Sequence, residues 1–562
     1  MSTWSPLTHQ PAFDASTMLL LTDGTVMCQN SGQSDWHRLT PDATGDYVNG
    51  TWSALASTTH GPLYYASAVL RDGRVFRAGG EYDFGMSVDL DVVEIYDPVA
   101  NVWHPIAAPP GVQIGDAISC VLPNGRLVLG NIAGAPTVYD PVANTFTPTG
   151  PKSNNTSDEE SWTLLPDGSV FTLDCFGHPH AERYVPATNT WVSAGNTPVD
   201  LVFDVPHEIG PALLLPNGHV FCIGGTGKTV LYTPGSPGTF VAGPTLPSIG
   251  GFQLGAMDAP GALLPNGKVL FAAGPVDNSG TYRVPTYLFE YDPASNAVAQ
   301  ISGPPNLNRQ PYLSRMLLLP SGQVLFANST NYVAVYTPSG GPQAAWRPTI
   351  TSCPTSLILG STYTLQGRQL NGLSQAVGYG DDAQMATNYP IVRLEYLGGH
   401  VVYCRTANHS TMGVATGGAI ASTAFTVPAS APTGPANLVV VANGIPSAAY
   451  AVHLGTVKKI EKLEKIEKLE KVEALEKIHK LEIGEKAIVE QGKINEKFAE
   501  VQHDFGQALN AQLAQITAQI ATISGIVQQH QAFIEAQERP NAGEPPQQQE
   551  PLPPRHREHE QR

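Results

Sequence analysis

Short apolar runs alternate with Gly- and Pro-bearing turns through the first 322 residues, and the alternation repeats. Seven segments share one pattern: LLLTDGTVM from Leu19, VLRDGRVFRAGG from Val69, VLPNGRLVLG from Val121, LLPDGSVFTL from Leu164, LLLPNGHVFCIGG from Leu213, LLPNGKVLFAAG from Leu263 and LLLPSGQVLFANS from Leu317. Each is an apolar strand, a two-residue turn ending in Gly, and a second apolar strand, which predicts a β-hairpin. The turn glycines Gly24, Gly73, Gly125, Gly168, Gly218, Gly267 and Gly322 are 49, 52, 43, 50, 49 and 55 residues apart. A period of about 50 residues predicts radial repetition of one supersecondary unit. A sandwich lacks such a period and a solenoid coil is shorter, so both fit less well.

Each repeat also closes alike. IYDPVANVWHP (Ile95 to Pro105), VYDPVANTFTP (Val138 to Pro148), RYVPATNTWVS (Arg183 to Ser193) and EYDPASNAVAQ (Glu290 to Gln300) share a Tyr, a Pro-led turn and a hydrophobic residue after Asn or Thr. Pro cannot donate to a ladder, so the pattern predicts a Tyr on an outer strand with Pro at the boundary. Four strands per repeat and seven repeats predict a mainly β protein whose residues 1–345 form a seven-bladed, kelch-like β-propeller.

From Trp346 the texture changes to short alternating strands separated by Gly, Pro and Ser, which predicts an Ig-like β-sandwich over 346–455. From Val457 to Leu481 an apolar residue recurs at every third position with Glu and Lys between. The pairs Glu461–Lys465, Glu464–Lys468 and Glu467–Lys471 favour a helix locally. A period of three winds around a helix by about 60° per step, so such a helix needs partners on several sides. The other reading is a non-helical rod of threefold period. Beyond Gly492, Ile494, Phe498, Val501, Phe505, Leu509, Leu513, Ile516, Ile520, Ile523, Val527 and Ile534 follow a coiled-coil spacing with one stutter. Ile at both seam positions predicts more than two strands, with a trimer favoured, through 488–536. His530 falls on the seam, where it sets register or senses pH. Residues 456–536 are therefore expected to be an α-helical coiled-coil stalk, and the Pro- and Gln-rich 537–562 a disordered tail.

Charge divides unevenly. Residues 1–456 hold 30 acidic against 16 basic residues, a net of −14, and only three lysines, Lys152, Lys228 and Lys268. An acidic head excludes nucleic acid as a partner, because phosphates need a basic footprint. No apolar run is long enough to span a bilayer, so membrane insertion is not expected. The opening MSTWSPLTHQPAF lacks a basic cluster and an apolar stretch, so the expectation is no standard signal peptide, cytoplasmic synthesis, and release or display on a particle. Cys28, Cys120 and Cys222 lie in or beside predicted strands and are expected to be buried. Cys353 and Cys404 share the second domain and could pair.

The strand that opens each hairpin is innermost in a propeller, and its first residues face the channel mouth. Nine or ten residues before each turn glycine lie Asp14, Tyr64, Asp116, Glu159, Glu208, Asp258 and Tyr312, with Glu160 and His207 as neighbours. Five carboxylates and two tyrosines on one ring suggest a cation or polyol site, calcium among the cations, with carboxylate oxygens as ligands or hydroxyl acceptors. The alternative is that the acids bind backbone N–H groups between blades. Cys175, His178, His180 and Glu182 (CFGHPHAE) have the look of a metal box without a second cluster at ligand spacing.

At these residues the chain resembles the galactose oxidase family, in which a kelch-type seven-bladed propeller precedes an Ig-like domain that sends a histidine into the channel. The resemblance covers residues 1 to about 455. It implies copper held by two tyrosines and two histidines, with one tyrosine cross-linked to a cysteine. Tyr64 stands before an Asp72-Gly73-Arg74-Val75-Phe76 hairpin as the cross-linked tyrosine does, and Tyr312 stands before Leu317 to Leu325 as the axial tyrosine does. Thr406-Ala407-Asn408-His409 matches the family's T-A-x-H segment, which makes His409 the implied ligand from the last domain. The residue after Tyr312 is Leu313 where the family has its second histidine. Ala15 stands at the cysteine position, and Tyr82 falls near the stacking aromatic. His207 is the replacement imidazole nearest by ring position.

Two functions follow. One is a binding head for a glycan or other polyhydroxylated surface, carried on an oligomeric stalk like a phage-like fibre or an injection-system component, where avidity multiplies weak contacts. The other, implied by the resemblance, is a copper-radical oxidase acting on primary alcohols, for which the missing thioether leaves no evident redox cofactor.

Overall fold

The computed structural model describes residues 2–277, 279, 281–379, 385–457 and 468–475, with isolated positions 507, 511, 512, 514, 515, 518 and 519. The chain divides into two units, Met1–Leu463 and Glu464–Arg562.

In the first unit the predicted repeats become sheets. Among the described residues, seven antiparallel sheets share a four-stranded order. The first runs Ala15–Leu20, Val26–Asn30, Trp36–Thr40, Thr51–Ala54. The sixth, from Gly261–Leu263 to Ala297–Ile301, is extended by three further short strands. The seventh takes its outermost strand from the other end of the propeller: Thr3–Pro6 lies antiparallel to Ala334–Thr337, with Thr3 opposite Thr337. The opening strands of successive sheets touch in order, and that of the seventh, Arg315–Leu318, touches Ala15–Leu20. The sheets therefore form a closed β-propeller.

The hairpin sequences explain the turns, with one difference from expectation. The turn glycines all have positive φ, between 77° and 88°. Each glycine N–H donates to a Leu carbonyl three residues back, as from Gly24 to Leu21 at 2.9 Å, while that Leu N–H pairs with the residue after the glycine. The loops thus contain three residues, a type I turn closed by a left-handed Gly, not two. The Asp or Asn before the glycine accepts the N–H two residues on, as Asp72 does from Arg74 and Asn124 from Arg126.

The closing motif also works differently. Tyr96, Tyr139, Tyr184 and Tyr291 sit on the third strands, buried, and not on the outermost ones. Each hydroxyl donates to the side chain of the Asn five residues later, at 2.7, 2.9, 2.8 and 3.0 Å. Those asparagines adopt positive φ, so the motif ties a left-handed turn to the sheet interior.

The second domain has two sheets that share Val401–Ala407. That strand pairs with Ile391–Glu395 on one side and Ala421–Thr426 on the other. Leu365, Phe425, Leu394, Leu438 and Val440 belong to one buried cluster. Cys353 and Cys404 lie in that cluster as free thiols, and Cys28, Cys120 and Cys222 are buried as expected. A segment of this domain follows the inner strands of the propeller: Gln375 accepts from Leu164 N, Val377–Gly378 pairs with Gly261–Leu263, and the Tyr379 hydroxyl donates to the Tyr312 carbonyl.

In the second unit, residues 468–475 are helical, which favours the helical reading of the period-three segment there. Leu469, Val472 and Leu475 on it are 56%, 52% and 65% exposed. The seam residues Ile494 to Ile534, His530 and the tail lie outside the described residues. No described helix is long and apolar enough to cross a membrane.

Turn glycines under the second domain serve twice. A Cβ on Gly24 (φ +77°) would lie 2.5 Å from the Tyr403 ring, whereas one on Gly218 (φ +87°) would meet nothing within 4 Å. Gly24→Ala is expected to cost about 2–4 kcal/mol, from strained backbone plus overpacking, and Gly218→Ala about 1 kcal/mol from backbone alone. Urea unfolding of the two variants checks the difference.

Candidate functional site

Loops entering the inner strands carry most of the predicted residues, and their backbone is unusual. Tyr64, Glu159, His207 and Asp258 have φ of 51°, 59°, 85° and 47°. Side chains pay of order 1–3 kcal/mol each for that region, a cost that concentrates at functional sites. The left-handed turn re-aims the residue before the strand begins.

Three of the five predicted carboxylates converge. Glu159, Glu208 and Asp258 each offer an oxygen, and these lie within 4.8 Å of one another. Glu208 and Asp258 are buried. The Tyr282 hydroxyl donates to Glu208 Oε1, and to Asp258 Oδ2 at 2.8 Å. A phenol has one proton, so it serves one carboxylate at a time. Burial, then Asp258 and Glu208, push its pKa far above the ordinary phenol range, so it stays protonated.

Beside the carboxylates runs a chain of tyrosines. Tyr282 meets Tyr312 edge-on at 4.7 Å, Tyr312 meets Tyr64 at 6.1 Å, and Tyr64 meets Tyr82 at 5.9 Å. Tyr312 sits on the short 3-10 turn Pro311–Leu313, and its carbonyl accepts Arg315 Nη1 at 2.6 Å. The Arg315 guanidinium lies 4.1 Å from the Tyr379 ring centre and 5.8 Å from that of Tyr64. Asp116 is buried, and its charge is among those that raise the Tyr82 pKa, after Glu81 and burial.

Other expected residues go elsewhere. Asp14 is exposed, and its backbone bonds to Asn30 and Ser31. His207 stacks on Phe176 at 4.3 Å, with His178 at 6.5 Å. His409 is 1% exposed, with Nδ1 against Thr423 Oγ1 at 2.9 Å, its backbone N–H on the Arg71 carbonyl, and its ring 6.2 Å from Tyr389. Those are partners on the hairpin-turn side of the second sheet, not the tyrosine pair. The CFGHPHAE residues also separate. Cys175 Sγ donates to the Glu159 carbonyl, His178 faces Asp200, and Glu182 bonds to Lys152 at 2.9 Å. His180 and Glu182 instead group with Asp174, which the motif did not suggest.

Tyr282, Tyr379 and Arg315 were not anticipated. The signal for Tyr282 is the 55-residue spacing from Gly267 to Gly322, the longest, which reflects a loop inserted between the second and third strands of the sixth sheet.

The Kelch motif matches residues 62–110. The fold is a kelch-type β-propeller. A solved structure titled as a novel fungal alcohol oxidase of the AA5 family, in complex with copper, is 16% identical, with 81% of this chain and 100% of that one covered at a TM-score of 0.48. YjhT is 14% identical over 53% of this chain and 99% of its own, at 0.35. YCF48 bound to D1 peptide is 13% identical over 61% and 97%, at 0.40. No curated protein matches the chain.

Burial, with a smaller contribution from Arg71, lowers the His409 pKa from 6.5 to about 3. The unfolded chain takes up a proton below pH 6.5 that the folded chain refuses until near pH 3, so His409 removes stability as pH falls between those values. His409→Gln is expected to flatten the acid side of the stability–pH curve, measured by urea unfolding from pH 7 to 4. An unchanged slope would contradict the assignment.

Proposed function

We propose that this protein is an oligomeric binding protein whose propeller head recognises a polyhydroxylated ligand, a glycan or glycan-bearing surface, at the channel mouth. The observation that carries the reading is the Tyr282 hydroxyl set against Glu208 and Asp258, with Glu159 close by and a line of tyrosine rings alongside. Carboxylate oxygens accept sugar hydroxyls, and aromatic rings pack on the apolar faces of sugar rings. Positive φ at Tyr64, Glu159 and Asp258 supports it, since such strain concentrates at functional sites. The same three carboxylates could share one hard cation such as calcium, through which hydroxyls would be bound.

In this reading the seven sheets are seven blades, the second domain is an Ig-like sandwich, and the segment after residue 456 multiplies the heads. The exposed Leu469, Val472 and Leu475 support oligomerisation, because an apolar helix stripe needs partners. The favoured state is a trimer.

A copper-radical oxidase is the second reading. The approach of Tyr64 to Tyr312 favours it. The remaining donors do not fit copper: Leu313 follows Tyr312, His409 faces Thr423 and Tyr389, and Ala15 occupies the cysteine position.

On a glycan array the wild-type head is expected to bind saturably. Glu208→Gln and Tyr282→Phe should weaken that binding by about 10- to 100-fold, the worth of a hydrogen bond to a charged group. An array blank at every glycan refutes the reading. Sedimentation equilibrium should return three chains for the full protein and one for a chain ending at residue 455, and a full-length monomer would remove the stalk.

A further inference from the structure

Next to Glu159 in the chain, Glu160 belongs to a buried charge cluster. The Lys152 ammonium bonds Glu160 Oε1 at 2.7 Å and Glu182 Oε2 at 2.9 Å, and all three side chains are at most 3% exposed. The other oxygen of Glu160 accepts from Trp162 Nε1 at 2.9 Å and Thr172 Oγ1 at 3.1 Å. The other oxygen of Glu182 accepts from the Ser153 backbone and hydroxyl. Lys152 also lies 4.9 Å from the Trp191 ring centre. Burial works against the ammonium, but the two carboxylates more than offset it, so Lys152 stays charged.

Two carboxylates against one ammonium is a costly way to fill an interior. Buried ion pairs are often replaceable by apolar residues of similar volume without loss of stability. What the cluster does hold is the residue after Glu159. Glu160 is pinned inward by three hydrogen bonds, and Cys175 Sγ holds the Glu159 carbonyl at 2.8 Å. Between those anchors Glu159 sits at φ 59°. A parallel occurs at Tyr64 (φ 51°), where the next residue, Tyr65, is buried and donates to Gln29 Oε1 at 2.6 Å.

We infer that Lys152, Glu160 and Glu182 are positioning residues that lock Glu159 into its left-handed conformation and so aim its carboxylate into the mouth. This rests on the reading of the mouth as a ligand site. Lys152 fixes both acids, Glu160 fixes the chain direction, and Glu182 completes the charge pairing from the third strand of the same sheet. The anchor sets ligand affinity more than stability.

The test neutralises all three together, so that no lone charge is left buried: Lys152→Met, Glu160→Gln and Glu182→Gln in one chain. The triple variant is expected to fold and to bind the array-selected glycan about tenfold more weakly. In a Glu159→Gln background the same three changes should cost nothing further, because the carboxylate they aim is already gone. A wild-type Kd in the triple variant overturns the proposal, as do losses that simply add to those of Glu159→Gln. Failure of the triple variant to fold assigns the cluster to stability and overturns it too. A crystal structure of the variant gives a readout that needs no ligand: φ of Glu159 is expected to leave the positive range, and a retained value near 59° would refute the anchor. A shifted φ in a protein whose wild type binds no glycan would leave the anchor standing and remove only the reading of the mouth.

Discussion

The pairing of Thr3–Pro6 with Ala334–Thr337 is the constraint on which the rest depends. Two strands more than 320 residues apart complete one sheet, and that sheet closes the circle. An open row of the same sheets would satisfy the same hairpin turns and bury many of the same apolar residues. It would not bring Tyr312, at the start of the last sheet, to within 6.1 Å of Tyr64, at the start of the second. The circle also gives the second domain an inner wall to follow, which ends at the Tyr379 hydroxyl on the Tyr312 carbonyl. Tyr312 is therefore held by its own strand through Arg315 and by the other domain through Tyr379.

Within the circle, the geometry of the mouth and stability pull apart. The sheet interiors are mostly apolar, and their turns use glycine or asparagine where positive φ is required. At the mouth, positive φ falls on Tyr, Glu, His and Asp. Glycine there would relax the backbone and delete the side chain that faces the mouth. Carboxylates gathered within 4.8 Å repel one another, and a buried phenol that cannot ionise offsets part of that repulsion. Such strain is affordable because the surrounding sheets over-determine the loops.

Much of the fold was legible because it rests on local chemistry repeated seven times: Leu, then Asp or Asn (Ser321 in the seventh), Gly, and apolar alternation. The hairpin loops were one residue longer than their sequences suggested, since a Gly can close either kind of turn. The Tyr of the closing motif reads as an edge residue from its Pro neighbour, yet its hydroxyl reaches an Asn five residues away, which buries it. Counting back from each turn located the mouth but not the aim of each side chain. A left-handed backbone re-aims its own side chain, so Glu159 and Asp258 point in where Asp14 does not. His409 matched a short motif on a segment that lies against the hairpin turns, whereas a different segment of that domain, Gln375 to Tyr379, follows the inner strands. Tyr282 comes from a loop insertion, and nothing in a single sequence says where an insertion folds.

The account stands or falls on whether residues from separate sheets act as one pocket. A crystal structure of the wild-type chain soaked with its best glycan tests this directly. Ligand density bridging Glu208, Asp258 and Tyr282, with a sugar face against the tyrosines, is the predicted result. A saccharide bound elsewhere, with those carboxylates untouched, would contradict it.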